Sequence, residues 1–165
     1  MVEPRRRKQE DAPLKGVRIL IVESGYYEDI ADTLRAGATR ALEAAHATFD
    51  VVTVPGALEI PQAIVLALDA ARGAKAYEGV VALGCVIRGE TSHYDIVAGE
   101  SARALMDIGV ARGIPVGNGI LTVDTAAQAR ARSALDKGDK GGTAAGAALA
   151  LVRLKRRLAT PRKRR

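Results

Sequence analysis

The fold is decided by residues 79–111, which read GVVALGCVIRGETSHYDIVAGESARALMDIGVA. The first part, residues 79–85, is an apolar run with the length of a buried strand. A short polar turn follows, and residues 92–111 have the length and composition of a helix. An apolar strand that leads through a turn into a helix is the repeating unit of α/β folds with a parallel sheet.

The same alternation continues on both sides of this stretch. Upstream, the pattern predicts strands at residues 17–22 and 49–54 and helices at about 30–45 and 58–71. Downstream, it predicts a strand at about 114–122, then helices at about 125–135 and 142–158, with a glycine-rich stretch at 137–142 between them. With right-handed crossovers, this order predicts an α/β fold: a three-layer αβα sandwich around a four-stranded parallel sheet.

The length and composition fit one domain. We predict a flexible N-terminal arm at 1–15, a folded domain at 16–158 and a basic C-terminal tail at 159–165. No apolar run approaches the roughly 20 residues of a membrane span, and the charged amino end does not resemble a secretory signal. The single cysteine, Cys85, cannot form an internal disulfide. We therefore expect a cytoplasmic protein.

The net charge of +6 is concentrated at the two ends. Residues 1–10 carry +2 and residues 153–165 carry +8, so the rest of the chain carries −4. Basic clusters at termini are usually solvated tails or the cationic last turn of a helix. The charge pattern therefore does not favour a nucleic-acid partner.

Ligands of such sheets bind beyond the carboxyl ends of the strands. That rule selects residues 24–27, 55–59, 85–93 and 118–122. No nucleotide-binding glycine motif follows the first strand, and Gly84 and Gly89 lack the Lys-Ser/Thr of a phosphate-binding loop. No histidine, cysteine and carboxylate grouping has metal-ligand spacing, so we expect no metal site.

Three segments in these regions carry a family resemblance: VPGALEIP (54–61), LGCVIRGETSHYD (83–95) and GNGILT (117–122), with Arg132 and Lys140 downstream. In this order and spacing they resemble the lumazine synthase family over residues 16–158. That family is a group of transferases of riboflavin biosynthesis. They condense 5-amino-6-(D-ribitylamino)uracil with 3,4-dihydroxy-2-butanone 4-phosphate to 6,7-dimethyl-8-ribityllumazine, phosphate and water.

The resemblance also implies a flavodoxin-like sheet, no metal or organic cofactor, and riboflavin synthase as the pathway neighbour. It implies a homopentamer, or a higher assembly of pentamers, with active sites between neighbouring subunits. The sequence leaves open whether the assembly is a pentamer, a decamer or a sixty-subunit shell.

Site residues follow from the resemblance position by position. His93 is implied as the catalytic proton carrier, because imidazole titrates close to neutral pH. The implied pyrimidine and ribityl contacts are Tyr26, Ala57, Leu58, Glu59, Cys85, Val86, Ile87 and Asn118, with Asn118 supplied by a neighbouring subunit. The implied phosphate contacts are Glu90, Thr91, Arg132 and Lys140.

Simpler interpretations of these residues remain open from the sequence alone. Glu59 could merely favour the positive end of its helix, and Arg132 could be a solvent-facing helix residue. Tyr26 could be a partly buried surface residue. Cys85 stands where the family frequently has threonine, and we interpret it as a small apolar filler rather than a nucleophile. Ser92 and Asp95 have the spacing of a helix capping box.

Two other classes of protein share some of these features. A flavodoxin-type cofactor module would have the same sheet, but it should carry a Ser/Thr/Gly-rich phosphate loop where this chain has residues 23–27. A shell protein could use the basic ends to hold acidic cargo. Within the family, a paralogue kept for flavin binding is a third possibility, although Glu59, His93 and Arg132 argue against lost catalysis.

Overall fold

The computed structural model describes residues 12–160 and contains the predicted sheet. The strands are β1 (Arg18–Ser24), β2 (Thr48–Val54), β3 (Gly79–Ile87) and β4 (Val116–Val123). The helices are α1 (Glu28–Ala44), α2 (Glu59–Ala70), α3 (His93–Arg112), α4 (Ala126–Ser133) and α5 (Lys140–Ala159), with a short 3₁₀ turn at Gly73–Lys75. All strand pairs are parallel, and the spatial order is β2-β1-β3-β4.

The two central strands explain why the sheet is buried on both faces. On β1, Ile19 and Ile21 point into a core formed with α1 and α5, whereas Leu20 and Val22 point into a second core with α2 and α3. A strand covered by helices on both faces reads as a continuous apolar run, as β1 and β3 do. The three-layer αβα fold, with a flavodoxin-like strand order, is therefore confirmed.

The carboxyl end of β1 is fixed by a buried acid. Glu23 is 2% exposed, and its carboxylate accepts hydrogen bonds from the guanidinium of Arg35 on α1 and from the Thr53 hydroxyl on β2, the latter at 3.0 Å. Pairing and hydrogen bonding stabilise a buried carboxylate, and here both contacts fall on the same oxygen, Oε1. Glu23 thus anchors the start of the loop that leads to α1.

Helix α5 begins at Lys140, close to the predicted start at about residue 142, and the Asp139 carboxylate caps it by accepting a hydrogen bond from the backbone N–H of Gly142 at 3.1 Å. The predicted capping box at the start of α3 was wrong. Ser92 occupies the N-cap position of α3 but makes no side-chain cap. The capping box fails because the Asp95 carboxylate faces Arg88, 3.4 Å away, instead of folding back on the backbone.

Both edges of the predicted domain, residues 16 and 158, lie within the described residues, whereas positions 1–11 of the predicted arm and 161–165 of the predicted tail lie outside them. Leu14, before the predicted boundary, is 5% exposed, and its backbone N–H donates to the carbonyl of Ala45 at 2.7 Å. In the described part of the chain, no helix has the length and apolar character that crossing a bilayer requires.

Helices α1 and α5 approach each other through glycine. A Cβ added at Gly141 would lie within 3.0 Å of the backbone carbonyl of Leu34 on α1, a distance that real Cβ atoms do not show. The backbone atoms of a helix cannot move aside as a flexible side chain would. Only glycine at position 141 allows this separation of the two helices.

We predict that Gly141→Ala lowers the free energy of unfolding by about 3 kcal/mol, the upper end of the usual range for overpacking, because a backbone must move. The measurement is urea denaturation at one fixed protein concentration, since assembly would otherwise shift the midpoint.

The matched control is Gly146→Ala in the same helix, where an added Cβ meets no atom within 4 Å. This substitution should raise stability by about 0.5–1 kcal/mol, because alanine is the better helix former. Equal effects of the two substitutions would show that close approach at position 141 does not limit the packing.

Candidate active site

A cavity of about 550 Å³ opens at the carboxyl ends of the strands. It is bounded by the ends of β1 and β3, the loop after β1, the turn before α2 and the start of α3. Its lining residues are Ser24, Tyr26, Tyr27, Gly56, Ala57, Leu58, Glu59, Cys85, Val86, Ile87, Gly89, Thr91, His93, Tyr94 and Val97. Three of the four segments selected from the sequence thus meet at one cavity, and the segment 118–122 does not contribute to it.

The turn at the start of α2 presents a carboxylate to this cavity. Ala57 is buried, Leu58 is the N-cap residue, and Glu59 is the first residue of α2. The Glu59 backbone N–H donates to the carbonyl of Gly56 at 3.3 Å, which closes the turn. Among residues 12–160, no cationic side chain forms an ion pair with Glu59. Its carboxylate is therefore available to accept hydrogen bonds from hydroxyl groups.

The end of β3 forms an apolar floor. Cys85 is 7% exposed and Val86 is 9% exposed, and both line the cavity. Burial, with a smaller contribution from the Asp29 carboxylate, raises the pKa of Cys85 from 9.0 to about 11. The thiol is therefore protonated at neutral pH, which supports its interpretation as a filler rather than a nucleophile.

Two adjacent tyrosines form one wall. Tyr26 is 72% exposed, and its ring meets the ring of Tyr27 edge to face, with centroids 4.9 Å apart and an interplanar angle of 73°. Tyr27 is half-buried and packs against the core, and burial raises its pKa above the usual value. The family resemblance implied only Tyr26, although the sequence contains an aromatic pair directly after β1. An exposed aromatic face supported by a second ring suits a flat ligand.

The start of α3 forms the opposite wall. His93 is its first residue and is exposed, and its backbone N–H donates to the Thr91 hydroxyl oxygen at 3.4 Å. The first turn of a helix directs backbone N–H groups and a partial positive charge outward, an arrangement that binds phosphate. Glu90 is exposed and does not line the cavity. Tyr94, quoted in the sequence motif but given no role there, does line it.

Three sequence-selected residues lie elsewhere on the chain. Asn118 is exposed on the edge strand β4, and its side-chain oxygen accepts from the backbone N–H of Ile120 at 2.9 Å. Arg132 is exposed near the end of α4 and donates to the carbonyl of Gln128 at 3.2 Å. Lys140 is half-buried at the start of α5. None of the three lines this cavity, so a single chain brings no cation from α4 or α5 to it.

The described residues hold no cluster of three or more histidine, cysteine and acidic side chains that could bind a metal ion. The groups of the lining residues are instead one carboxylate, one imidazole, three phenol rings, two hydroxyls, one thiol and backbone amides. These groups bind polar and aromatic organic molecules and move protons.

Comparison with known proteins agrees with this geometry. The family model described as 6,7-dimethyl-8-ribityllumazine synthase matches residues 16–156. A relative of that name from Azorhizobium caulinodans is 64% identical over 146 residues, which cover 88% of this chain and 90% of the relative. One from Methylobacterium sp. (strain 4-46) is 62% identical over 98% of this chain and 91% of its own length.

A third relative of the same name, from Rhodopseudomonas palustris, is 57% identical over 161 residues. The match covers 96% of this chain and 99% of the relative. The range matched by the family model includes the turn before α2, the end of β3 and the start of α3. The chain therefore belongs to the 6,7-dimethyl-8-ribityllumazine synthase family.

Proposed function

We propose that this protein condenses 5-amino-6-(D-ribitylamino)uracil with 3,4-dihydroxy-2-butanone 4-phosphate to 6,7-dimethyl-8-ribityllumazine, phosphate and water, the penultimate step of riboflavin biosynthesis. The observation that carries this proposal is the meeting of residues 56–59, 85–87 and 91–93 at one cavity. These are the segments that the family resemblance selects. The reaction needs no metal or organic cofactor, and riboflavin synthase would consume its product.

The pyrimidine and its ribityl chain occupy the half of the cavity near β3. The Tyr26 ring stacks on the flat pyrimidine, and the floor of Cys85, Val86 and Ile87 covers its edge. The backbone N–H groups of Ala57 and Leu58 donate hydrogen bonds to the ribityl hydroxyls, and the carboxylate of Glu59 accepts hydrogen bonds from them. Glu59 suits this role because no cation of the described chain occupies its carboxylate.

The phosphate of the second substrate binds at the start of α3. The backbone amides of that helix start and the Thr91 hydroxyl bind its oxygens, and Glu90 adjusts the local charge. Arg132 and Lys140 supply the positive charge from a neighbouring subunit, which also supplies Asn118. The proposal therefore includes a homopentamer, or a larger assembly of pentamers, located in the cytoplasm.

His93 transfers protons during the reaction. The 5-amino group forms an imine with the ketone and releases one water, phosphate leaves by elimination, and the resulting enol tautomerises to a new carbonyl. The ribitylamino nitrogen attacks this carbonyl and closes the ring with loss of a second water. Each step moves a proton near the start of α3, where His93 lies beside the phosphate-binding amides. Holding the two reactants together supplies much of the rate, because it replaces a bimolecular encounter.

Activity provides the direct test. The purified protein, given the two substrates without metal or nucleotide, should produce fluorescent lumazine and inorganic phosphate well above the rate of the spontaneous condensation. A folded protein, verified by circular dichroism, that gives no acceleration would refute the proposed function.

We predict that His93→Ala lowers turnover by about 10²-fold, the low end for loss of an acid–base group, because water partly replaces the imidazole. Binding of a ribitylated pyrimidine analogue should change little, since the ribityl contacts are intact. The measurements are the turnover number and the dissociation constant of the analogue.

The control for this substitution is His46→Asn. His46 is the other histidine of the chain, and it lies after α1 with a φ of 59°, a conformation that asparagine tolerates. The His46→Asn variant should keep wild-type turnover. Weakened binding with unchanged turnover in His93→Ala would make His93 a binding residue only.

We predict that Arg132→Ala raises KM for the butanone phosphate by roughly ten- to hundredfold, because a charge-assisted hydrogen bond is worth about 1.5–3 kcal/mol. KM for the pyrimidine should change far less. Arg130→Ala is the control, since Arg130 lies on the same helix and is paired with Asp29 at 3.3 Å. An equal rise in both KM values would indicate a role of Arg132 in folding or assembly.

Mixed assemblies test whether Arg132 acts on a neighbouring subunit. Arg132→Ala and His93→Ala chains are unfolded together and refolded as a mixture. If the two residues come from different subunits, some sites regain both side chains and high turnover at low substrate returns. If both residues come from one chain, every site keeps a lesion, and the mixture equals the average of the two variants.

A further inference from the structure

Arg88 is the first residue after β3, and it occupies a junction beside the cavity without lining it. Its backbone N–H donates to the carbonyl of Val123 at 2.9 Å, which extends the β3–β4 pairing by one residue. Its guanidinium lies over the ring of Tyr94, 4.0 Å from the centroid. Because Tyr94 forms part of the cavity wall, Arg88 supports that wall from behind.

The same guanidinium joins two acidic residues from different elements. Its Nε donates to the Asp124 carboxylate at 3.2 Å, and its terminal nitrogens lie 3.4 Å from the Asp95 carboxylate. Asp95 is in the first turn of α3, which carries the phosphate-binding amides. Asp124 is in the connection between β4 and α4. One side chain therefore fixes the start of α3 relative to the start of α4.

The hydrogen bonds continue from Asp124 to Arg132. The Asp124 backbone N–H donates to the side-chain oxygen of Gln128 at 2.9 Å. The Gln128 backbone N–H donates to the hydroxyl oxygen of the capping residue Thr125 at 3.2 Å. The guanidinium of Arg132 donates to the Gln128 carbonyl at 3.2 Å. An unbroken series of contacts thus runs from the cavity wall through Arg88 to Arg132.

We infer that Arg88 is a positioning residue for phosphate recognition, which sets the start of α3 in its own cavity and the orientation of Arg132 on α4. This inference rests on the proposed function, in which both elements bind the phosphate of the second substrate. Arg88 also keeps two carboxylates neutralised close to a site that must accept a dianion. In the proposed assembly, Arg88 connects the phosphate-binding start of α3 in its own active site to Arg132, which the same chain contributes to the neighbouring active site.

The individual contacts are weak, since exposed ion pairs and exposed cation–π contacts each contribute little. These contacts matter for substrate binding because they hold the start of α3 and Arg132 in place. A small displacement of a group that binds the substrate sharply lowers its contribution to binding. A planar guanidinium can stack on a ring and bind two carboxylates at once, whereas a lysine ammonium cannot. The inference therefore predicts that shape, and not charge alone, is required at position 88.

The first test is Arg88→Gln. It should raise KM for 3,4-dihydroxy-2-butanone 4-phosphate by about three- to tenfold, as expected for the loss of several weak contacts, and leave KM for the pyrimidine within about twofold. The Ki of inorganic phosphate should rise in parallel. The control is Arg112→Gln, which breaks a similar exposed ion pair, Arg112–Asp69 at 2.6 Å, at the far end of α3. It should change neither KM.

The Arg88→Lys variant distinguishes the shape of the side chain from its charge, because lysine keeps the positive charge but lacks the planar guanidinium. If shape is required, its KM for the butanone phosphate should lie closer to that of Arg88→Gln than to wild type. Wild-type behaviour of Arg88→Lys would leave only a charge effect and overturn the inference. Should Arg88→Gln fold poorly, Asp124→Asn removes only the link towards α4 and should raise the same KM by a smaller factor.

A double-mutant cycle tests the route through α4. If Arg88 acts partly through Arg132, the effect of Arg88→Gln on KM for the butanone phosphate should shrink in an Arg132→Ala background. Independent sites would give additive effects, and full additivity would overturn that route. Arg112→Gln should be additive with Arg132→Ala. A wild-type protein without activity would refute the proposed function, whereas an active wild type with unaffected Arg88 variants would refute this inference alone.

Discussion

Helix α5 is held against its neighbours by contacts between backbones. Gly141 faces the carbonyl of Leu34 on α1, and Gly117 on β4 lies beneath the carbonyl of Ala144 on α5, so that a Cβ at either glycine would fall within 3.0 Å of an oxygen. Close-packed interiors respond to such changes by moving whole elements. The position of α5 relative to α1 and β4 is therefore narrowly defined, and with it the position of Lys140 at its first turn.

The connection before α5 transmits this constraint to α4. Asp139 caps α5 and is paired with Arg40 on α1 at 2.8 Å. The backbone N–H of Gly138 donates to the carbonyl of Ala131 at 3.1 Å, one residue from Arg132. The two cations proposed for phosphate binding are thus carried by elements with defined positions at the edge of the sheet, while the cavity lies over its central strands. The proposed division of the site between neighbouring chains would make the chemistry depend on assembly.

The sheet was predictable because strands buried on both faces leave a strong signal in the sequence. The runs at 17–22 and 79–85 lie within or next to β1 and β3, and the family assignment made from the motifs is confirmed. The capping residue of α5 was not predicted, because it is a left-handed aspartate, Asp139 with a φ of 38°, inside a stretch that glycine marks as a loop. A sequence pattern identifies a cap by residue type alone, whereas the actual cap is the residue whose side chain accepts a hydrogen bond from the first turn of the helix.

The candidate site was predictable only in part for a related reason. Residues on the strand ends, such as Cys85 and Val86, could be placed from topology alone. Tyr27 and Tyr94 required knowledge of which way a loop and a helix turn, and Arg88 required the meeting of residues 88, 95 and 124, which no spacing reveals. The roles of all the site residues stay predictions, and those of Asn118, Arg132 and Lys140 depend in addition on the proposed contacts between chains.

The apolar floor of the cavity has a practical consequence. Cys85 is the single cysteine of the sequence, and with a pKa of about 11 its thiol is almost entirely protonated at pH 7. The thiolate is the form that attacks alkylating reagents, so Cys85 should react with them very slowly. A cysteine introduced on the exposed surface would therefore react selectively, and a fluorophore or cross-linker could be attached there without first removing the native residue.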